Sequence, residues 1–333
     1  MNRNLNLSVL AIFLLAGLVA PLATGASEPG FYVEVLLGGL MAGVLYSLVA
    51  LGFVLIFKAS GVFNFAQGSM VLFAALSVAR MAEEMPLWLA TLLAVGIMVA
   101  LAFLVERLVL RPLVNQDPVV LLMATLGVTY FLNGFGQTVW GSDIYEINLG
   151  IAKEPVMILQ NVFQGGILIN KDDVAAAAAA VVLVILLALF FQKTKTGRAL
   201  RAVADDHLAA QSIGIPLNRI WVIVWSVAGV VALVAGVIWG AKLGVQFSVS
   251  QVALKALPVV ILGGFTSIPG AILGGLIIGV GEKMAEVFLG PVMVKAFDLA
   301  GGGIENWFAY VLALLFLLVL PEGLFGEKRI DRV

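Results

Sequence analysis

The sequence predicts an all-α polytopic membrane protein with about ten transmembrane helices, some of them short or broken. Of its 333 residues, 62% are hydrophobic and 12% are charged, and the mean hydropathy is +1.10. A water-soluble domain of this length does not have that balance. The apolar residues also gather into runs of about 20, the length that crosses the hydrocarbon core of a bilayer. We therefore expect a single integral-membrane domain over residues 1–333.

The composition excludes several kinds of site. The 19 Lys and Arg nearly balance the 20 Asp and Glu, so no basic surface for nucleic acid is expected. The sequence has no cysteine, which excludes disulfides, thiolate metal ligands and a cysteine nucleophile. An intramembrane protease would need Ser60 and His207 as a pair, but His207 stands in a polar segment. We expect no catalytic residues, no metal site and no cofactor bound by this chain.

Seven apolar runs are clear candidates for spans: residues 6–23, 32–57, 86–105, 118–140, 174–191, 220–242 and 305–320. Residues 1–26 hold one basic residue, Arg3, an apolar run and small residues near Ala26, so they are read either as a first span or as a cleaved signal sequence. We favour the retained span, because both termini then lie on the same side of the membrane.

Three further apolar segments are short or interrupted. They are residues 66–79 and the pair 252–264 and 269–281, which is split by "FTSIPG". Interrupted spans persist only where protein or a water-lined cavity satisfies the freed backbone groups. These segments therefore predict a solute pathway.

Basic residues set the orientation, because Lys and Arg collect in cytoplasmic loops. With ten spans, one side receives Lys58, Arg107, Arg111, Lys193, Lys195, Arg198, Arg201, Arg219, Lys328, Arg329 and Arg332. The other side receives residues 83–86, a loop over 141–173 and the connection 282–305. Residues 192–219 then form a cytoplasmic loop, and both termini are cytoplasmic.

That loop contains an amphipathic helix, predicted over residues 197–213 and stopped by Gly214 and Pro216. On a 3.6-residue period one stripe holds Leu200, Val203, His207, Ala210 and Ile213, and the charged residues Arg198, Arg201, Asp205 and Asp206 lie away from it. The pattern leaves two interpretations open: a helix against lipid headgroups or its own bundle, or a docking element for a second protein. His207 is interpreted as a packing residue rather than a pH sensor.

Three stretches carry a resemblance to a known family. The loop reads "TGRALRAVADDHLAAQSIGIP" over 196–216, an earlier block reads "GLMAGVLYSLVALGFVLIFKASGVFNFAQGSM" over 39–70, and a late block reads "LKALPVVILGGFTSIPGAILGGLIIG" over 254–279. In the same order, these resemble motifs of the permease subunits of high-affinity branched-chain amino-acid ABC importers. The late block departs mildly, with Thr266 where many members have glycine.

The resemblance implies that the cytoplasmic helix is a coupling helix that fits a cleft of the ATPase. The residues implied in that contact are Gly197, Arg198, Leu200, Arg201, Val203, Asp205, Asp206, Ala210 and Gly214. Charged residues would set the register as rim ion pairs, while Leu200, Val203 and Ala210 would supply apolar contact. No G-x-x-x-x-G-K-[ST] motif occurs in the sequence, which fits a chain whose ATP and Mg²⁺ are bound by a partner subunit.

Uncharged polar residues and glycines near the breaks are the candidates for the translocation pathway. They are Tyr46, Ser47, Asn64, Gln67, Gly68, Asn133, Gln137, Gly263 and Gly264. Most glycines in the apolar blocks are read as faces for close helix packing. Lys255 is placed near the outer end of its span, where it would reach the interface rather than a solute. Few carboxylates are expected deep in the bilayer, which argues against a proton- or sodium-coupled carrier.

The resemblance implies the translocation subunit of an ATP-driven importer for branched-chain or similar amino acids in a bacterial inner membrane. Its implied partners are a second, homologous permease, cytoplasmic ATPase subunits, and an extracytoplasmic protein that binds and delivers the solute. Two alternatives stay open: an importer of the same type for urea or short amides, and an ATP-independent carrier or channel. A structural scaffold would not explain the broken spans.

Overall fold

The structure, a computed structural model, describes residues 28–113, 116–152, 154–163, 165–205, 207–298 and 303–326. The helices are α1 (Pro29–Ser60), α2 (Gln67–Ala82), α3 (Leu87–Val105), α4 (Pro118–Trp140), α5 (Lys171–Lys193), α6 (Lys195–Asp205), α7 (His207–Ser212), α8 (Leu217–Leu243), α9 (Ser248–Gly263), α10 (Ile268–Met284), α11 (Gly290–Phe297) and α12 (Ile304–Val319). Single turns of π-helix extend α3 over Glu106–Leu110 and α10 over Ala285–Leu289.

Local sequence signals explain where these helices begin. Helix α4 starts at Pro118, whose missing N–H is not needed in a first turn, after Asp117 as the N-cap. The Asp117 carboxylate accepts a hydrogen bond from the Val119 N–H at 2.9 Å. The predicted span 118–140 is confirmed at both ends. The predicted first span, 6–23, lies outside the described residues.

Five helical segments among the described residues are long and apolar enough to cross a membrane: Pro29–Ser60, Leu87–Leu113, Val119–Trp140, Lys171–Lys193 and Leu217–Leu243. The helices Ser248–Gly263 and Ile268–Phe297 form a further pair that is bent by 116°, as expected for a broken span. The runs predicted at 66–79 and 305–320 are shorter apolar helices. The chain is therefore an all-α polytopic membrane protein.

One boundary prediction is wrong. The connection predicted from residue 282 onward is helical up to Phe297, because the π-helical turn carries the chain from α10 into α11 without a break. Glu282, which the sequence placed at the start of an exposed loop, consequently lies inside a helix and is buried.

The chain divides into two compact units. Of the described residues, the first unit contains those within 28–47, 151–179 and 255–326, and the second contains those within 48–150 and 180–254. In the first unit, β1 (Pro155–Ile158) and β2 (Ile167–Asn170) form an antiparallel hairpin with Pro155 opposite Asn170. The backbone N–H of Leu168 donates to the Glu34 carboxylate at 2.9 Å, which connects this hairpin to α1.

The core of the second unit is built on α8, which packs against α2 and α3, while α2 also packs against α4. Small residues allow the close approach. A Cβ at Gly229 would lie 3.3 Å from the Met98 Cβ, and one at Gly236 would lie 3.2 Å from the Ala75 Cβ. The Trp221 indole donates to the Ala59 carbonyl at 3.1 Å and joins α8 to the end of α1.

Candidate functional site

The break between α9 and α10 lies in the first unit and is stabilised from both sides. Helix α9 ends at Gly263, followed by Gly264 in a left-handed conformation with φ +101°. Ser267 caps α10, its hydroxyl accepting from the Gly270 N–H at 3.0 Å. Beyond α12 the chain returns to the break. The Leu324 N–H donates to the Leu262 carbonyl at 2.8 Å.

Glycines bring the two helices beside this break together. A Cβ on Gly263 or Gly270 would collide with the backbone of the other residue. Gly264 is equally confined, since its Cβ would lie 2.8 Å from the Gly326 nitrogen. The structure thus gives Gly263 and Gly264 a packing and conformational role at the turn, beside their predicted place on a pathway.

Two G-x-x-x-G pairs join α1 to α10 in antiparallel register. A Cβ on Gly39 would lie 2.8 Å from the Val280 Cα, and one on Gly43 would lie 2.6 Å from the Gly275 oxygen. Gly279 faces Gly43 at similarly close range. Small residues at this spacing let two helix backbones approach directly in a membrane. The packing interpretation holds here, but not at Gly38, where a Cβ would have no neighbour within 4 Å.

Ser47 and Tyr46 lie next to this glycine contact and are both buried. The Ser47 hydroxyl donates to the Gly43 carbonyl at 2.8 Å and also approaches the Ile272 carbonyl of α10 at 3.1 Å. The Tyr46 hydroxyl donates to Oε1 of Glu282 at 3.1 Å. The sequence singled out both residues but not their partner.

Glu282 is the centre of a charged cluster that sequence reasoning missed. The Lys255 ammonium donates to Oε1 of Glu282 at 3.0 Å, the same oxygen that accepts from Tyr46. Lys255, which was expected near the outer end of its span, is in the middle of α9. Glu282 is nevertheless a carboxylate inside a helix of the broken span, and its side chain is 8% exposed.

The polar residues at the start of α2 form a buried group in the second unit. Asn64 and Gln67 are both fully buried. The Asn64 Oδ1 accepts from the Ala66 N–H at 3.0 Å, and its Nδ2 approaches Gln67 Oε1 at 3.5 Å. The Gln67 amide packs directly against Gly52 of α1. Asn64 thus satisfies the backbone at this break in the chain.

Gly68 allows α2 to approach the start of α9, since a Cβ there would collide with the Ser250 carbonyl. Asn133 and Gln137 lie farther along α4, half-buried and exposed respectively.

Another α4 residue, Thr125, contacts the segment of chain that precedes α2. The Thr125 hydroxyl approaches the Phe63 carbonyl at 3.3 Å and the Phe65 N–H at 3.4 Å. Sequence reasoning missed Thr125, since one threonine in an apolar run is ordinary.

The loop predicted to couple to an ATPase is helical, as α6 and α7, but residue 206 and the side chains of 205 and 207–209 lie outside the described part. Leu200, Val203 and Ala210 are buried within the chain. They therefore hold the segment to its own protein and are not open to another. Arg198 and Gly214 are exposed, and Ile213 is 75% exposed.

Gly197 and Arg201 attach α6 to the end of α5. A Cβ on Gly197 would collide with the Phe191 backbone. The Arg201 guanidinium donates to the Phe191 carbonyl, one of the groups left without an intrahelical partner at a helix end. The "GRALR" sequence therefore holds the start of α6 against the end of α5, a role the pattern alone did not reveal.

Comparison with known proteins identifies the family. The profile of the family described as "branched-chain amino acid transport system / permease component" matches residues 35–320. The chain is 28% identical to the high-affinity branched-chain amino acid transport system permease protein BraD of Pseudomonas aeruginosa, over 91% of this chain and 98% of BraD.

Two further relatives cover the chain to a similar extent. The high-affinity permease protein LivH of Escherichia coli is 26% identical over 91% of this chain and 98% of its own length. The probable branched-chain amino acid transport permease protein LivH of Methanocaldococcus jannaschii is 28% identical over 90% of this chain and 95% of its own. Because the profile spans most of the sequence, the chain belongs to the branched-chain amino acid transport system permease family.

Proposed function

We propose that this chain is the transmembrane translocation subunit of an ATP-driven importer for branched-chain or similar amino acids. The observation that carries the proposal is the family match over residues 35–320. The chain aligns with 98% of the length of two relatives that are described as high-affinity branched-chain amino acid permeases. The protein acts with a second permease, ATPase subunits that bind ATP and Mg²⁺, and an extracytoplasmic solute-binding protein.

The proposed topology has ten spans in a bacterial inner membrane, with both termini in the cytoplasm. It counts α9 and α10 as two spans, and adds α2, α12 and residues 6–23 to the five long segments. Residues 141–173 are then an extracytoplasmic loop and 192–219 a cytoplasmic one. Both compact units belong to one permease domain, since the chain passes between them inside α1, α5 and α9.

The segment 195–215 is proposed as the ATPase contact. Its support is the exposed side chain of Ile213, an apolar residue that directly follows α7 and the polar residues Gln211 and Ser212. The turn that presents it is held by two hydrogen bonds, from the Gly214 N–H to the Gln211 carbonyl at 2.9 Å and from the Ile215 N–H to the Ala210 carbonyl at 3.0 Å. Exposed apolar anchors with polar surroundings are typical of docking sites.

Replacing this anchor tests the docking proposal. Ile213→Asp should abolish co-purification of the ATPase, because a carboxylate cannot be desolvated in an apolar cleft. Ile144→Asp is the matched control, since Ile144 is 65% exposed and lies in the loop proposed to be extracytoplasmic. Equal retention of the ATPase by both variants would contradict the assignment.

The solute class is tested by competition for uptake. Proteoliposomes that contain the whole importer should take up labelled L-leucine, and excess isoleucine or valine should compete while urea and acetamide should not. Competition by urea or acetamide alone would assign the importer to neutral amides instead.

The pathway residues proposed from the sequence are tested in the same assay, since Asn133→Leu would alter uptake only if that amide meets the solute.

A further inference from the structure

Lys255, Glu282 and Tyr46 form a polar cluster in the first unit, with Tyr46 and Glu282 buried and Lys255 partly exposed. Stability does not explain this ion pair, since taking the Glu282 charge out of water costs about as much as its attraction to Lys255 returns. Ionisable side chains inside membrane spans mark solute or ion pathways more often than they serve packing. The cluster therefore calls for a functional explanation.

The three residues lie near the middle of their helices, which is well inside the bilayer in the proposed ten-span topology. Tyr46 is near the middle of the 32-residue α1, which is about 48 Å long at 1.5 Å per residue. Glu282 is near the middle of the continuous helical segment Ile268–Phe297. Lys255 is at mid-length in the 16-residue α9, the other arm of the broken span. Solute sites in transporters commonly lie at such depth, beside discontinuous helices.

One side of the pair is open. The Lys255 side chain is 30% exposed, whereas that of Glu282 is 8% exposed. A cation at this depth avoids lipid and faces either the bundle interior or a water-filled path. The ammonium is therefore accessible to a solute, and the Glu282 carboxylate is held beside it, at 3.0 Å, by the Tyr46 hydroxyl.

We propose that Lys255 and Glu282 bind the carboxylate and the ammonium group of a zwitterionic α-amino acid in transit. The pair matches such a solute, because one cation and one anion are offered side by side. In the solute-free state the two groups neutralise each other at 3.0 Å. On binding, the solute carboxylate accepts from the Lys255 ammonium and its ammonium donates to Glu282, so no buried charge is left unpaired. This inference rests on the proposed function and names residues for it.

The test is equilibrium binding of radiolabelled L-leucine to the purified complex, without ATP and without the solute-binding protein. Lys255→Gln and Glu282→Gln should each weaken binding about 10- to 100-fold, the loss of one charge-assisted hydrogen bond. Lys255→Gln should also reduce the preference for leucine over leucinamide, which lacks the carboxylate. Glu282→Gln should reduce the preference for leucine over 4-methylpentanoate, which lacks the ammonium group.

Two variants separate recognition from a purely structural ion pair. Lys283→Gln removes the neighbouring exposed pair with Glu286 at 2.8 Å, and should leave binding unchanged. The exchanged pair, Lys255→Glu with Glu282→Lys, keeps the attraction but reverses its direction. It should restore the melting temperature of the complex and not the affinity for leucine.

Unchanged leucine affinity in folded Lys255→Gln and Glu282→Gln, or full recovery of affinity in the exchanged pair, would overturn the inference. If a single variant does not fold, the leucine affinity of the exchanged pair is the measurement that tests the inference. A wild-type complex that neither binds nor imports leucine would instead contradict the proposed function, so the two failures are distinguishable.

Discussion

Gly43→Ala tests the close contact between α1 and α10. The new Cβ would lie 2.6 Å from the Gly275 oxygen and 2.8 Å from the Leu276 Cα, where ordinary contact begins at 3.4 Å, so the helices must separate by about 0.8 Å. Both neighbours are backbone atoms, which no rotamer change can move. Overpacking of this kind costs about 1–3 kcal/mol. The gain in helix propensity, about 1 kcal/mol, offsets only part of that cost.

The assay is the free energy of unfolding of purified protein in detergent micelles, measured by denaturant titration. Gly38→Ala is the matched control, because its Cβ has no neighbour within 4 Å and the residue is in the same helix. It should be neutral or slightly stabilising. If Gly43→Ala proves as stable as Gly38→Ala, the two G-x-x-x-G pairs do not pack as described.

Two further changes test the packing around the breaks. Gly52→Ala places a methyl group against the Gln67 amide and should cost about 1–3 kcal/mol of unfolding free energy. In a Gln67→Ala background the same change should cost little, because the amide is gone. Additive effects of the two changes in this double-mutant cycle would refute the contact. Ser267→Ala removes the cap that accepts from Gly270 and should destabilise the protein by about 0.5–2 kcal/mol, whereas the mid-helix change Ser226→Ala should have little effect on the same measurement. Equal effects of the two serine changes would argue against the cap.

Much of the helical layout could be predicted because hydropathy and the residues that start or stop helices are local properties of the sequence. Pro118 after Asp117 marks one helix start, and Ser267 with Pro269 marks another. The interruption between residues 263 and 268 followed from the same signals. The packing of Gly39 and Gly43 was also expected, since small residues at a four-residue spacing form helix contacts.

The charged cluster could not be predicted in the same way. Lys255 and Glu282 are 27 residues apart, and Tyr46 is 236 residues from Glu282, so only the tertiary fold brings them together. From the hydropathy pattern, the span was also predicted to end near Glu282, whereas in the structure a π-helical turn continues the helix beyond this residue. For the loop over residues 192–219, periodicity identified an apolar stripe, but it could not show that Leu200 and Val203 are buried against their own chain.

We propose that ATP hydrolysis in a partner subunit drives solute movement through this chain. The direct measurement is uptake of L-leucine into proteoliposomes with the complete complex and binding protein, compared with the same vesicles lacking ATP or lacking the ATPase. We expect accumulation against a gradient only when both ATP and ATPase are present, and its loss with Ile213→Asp. Uptake that persists without either one would show an ATP-independent carrier or channel and would refute the proposed coupling.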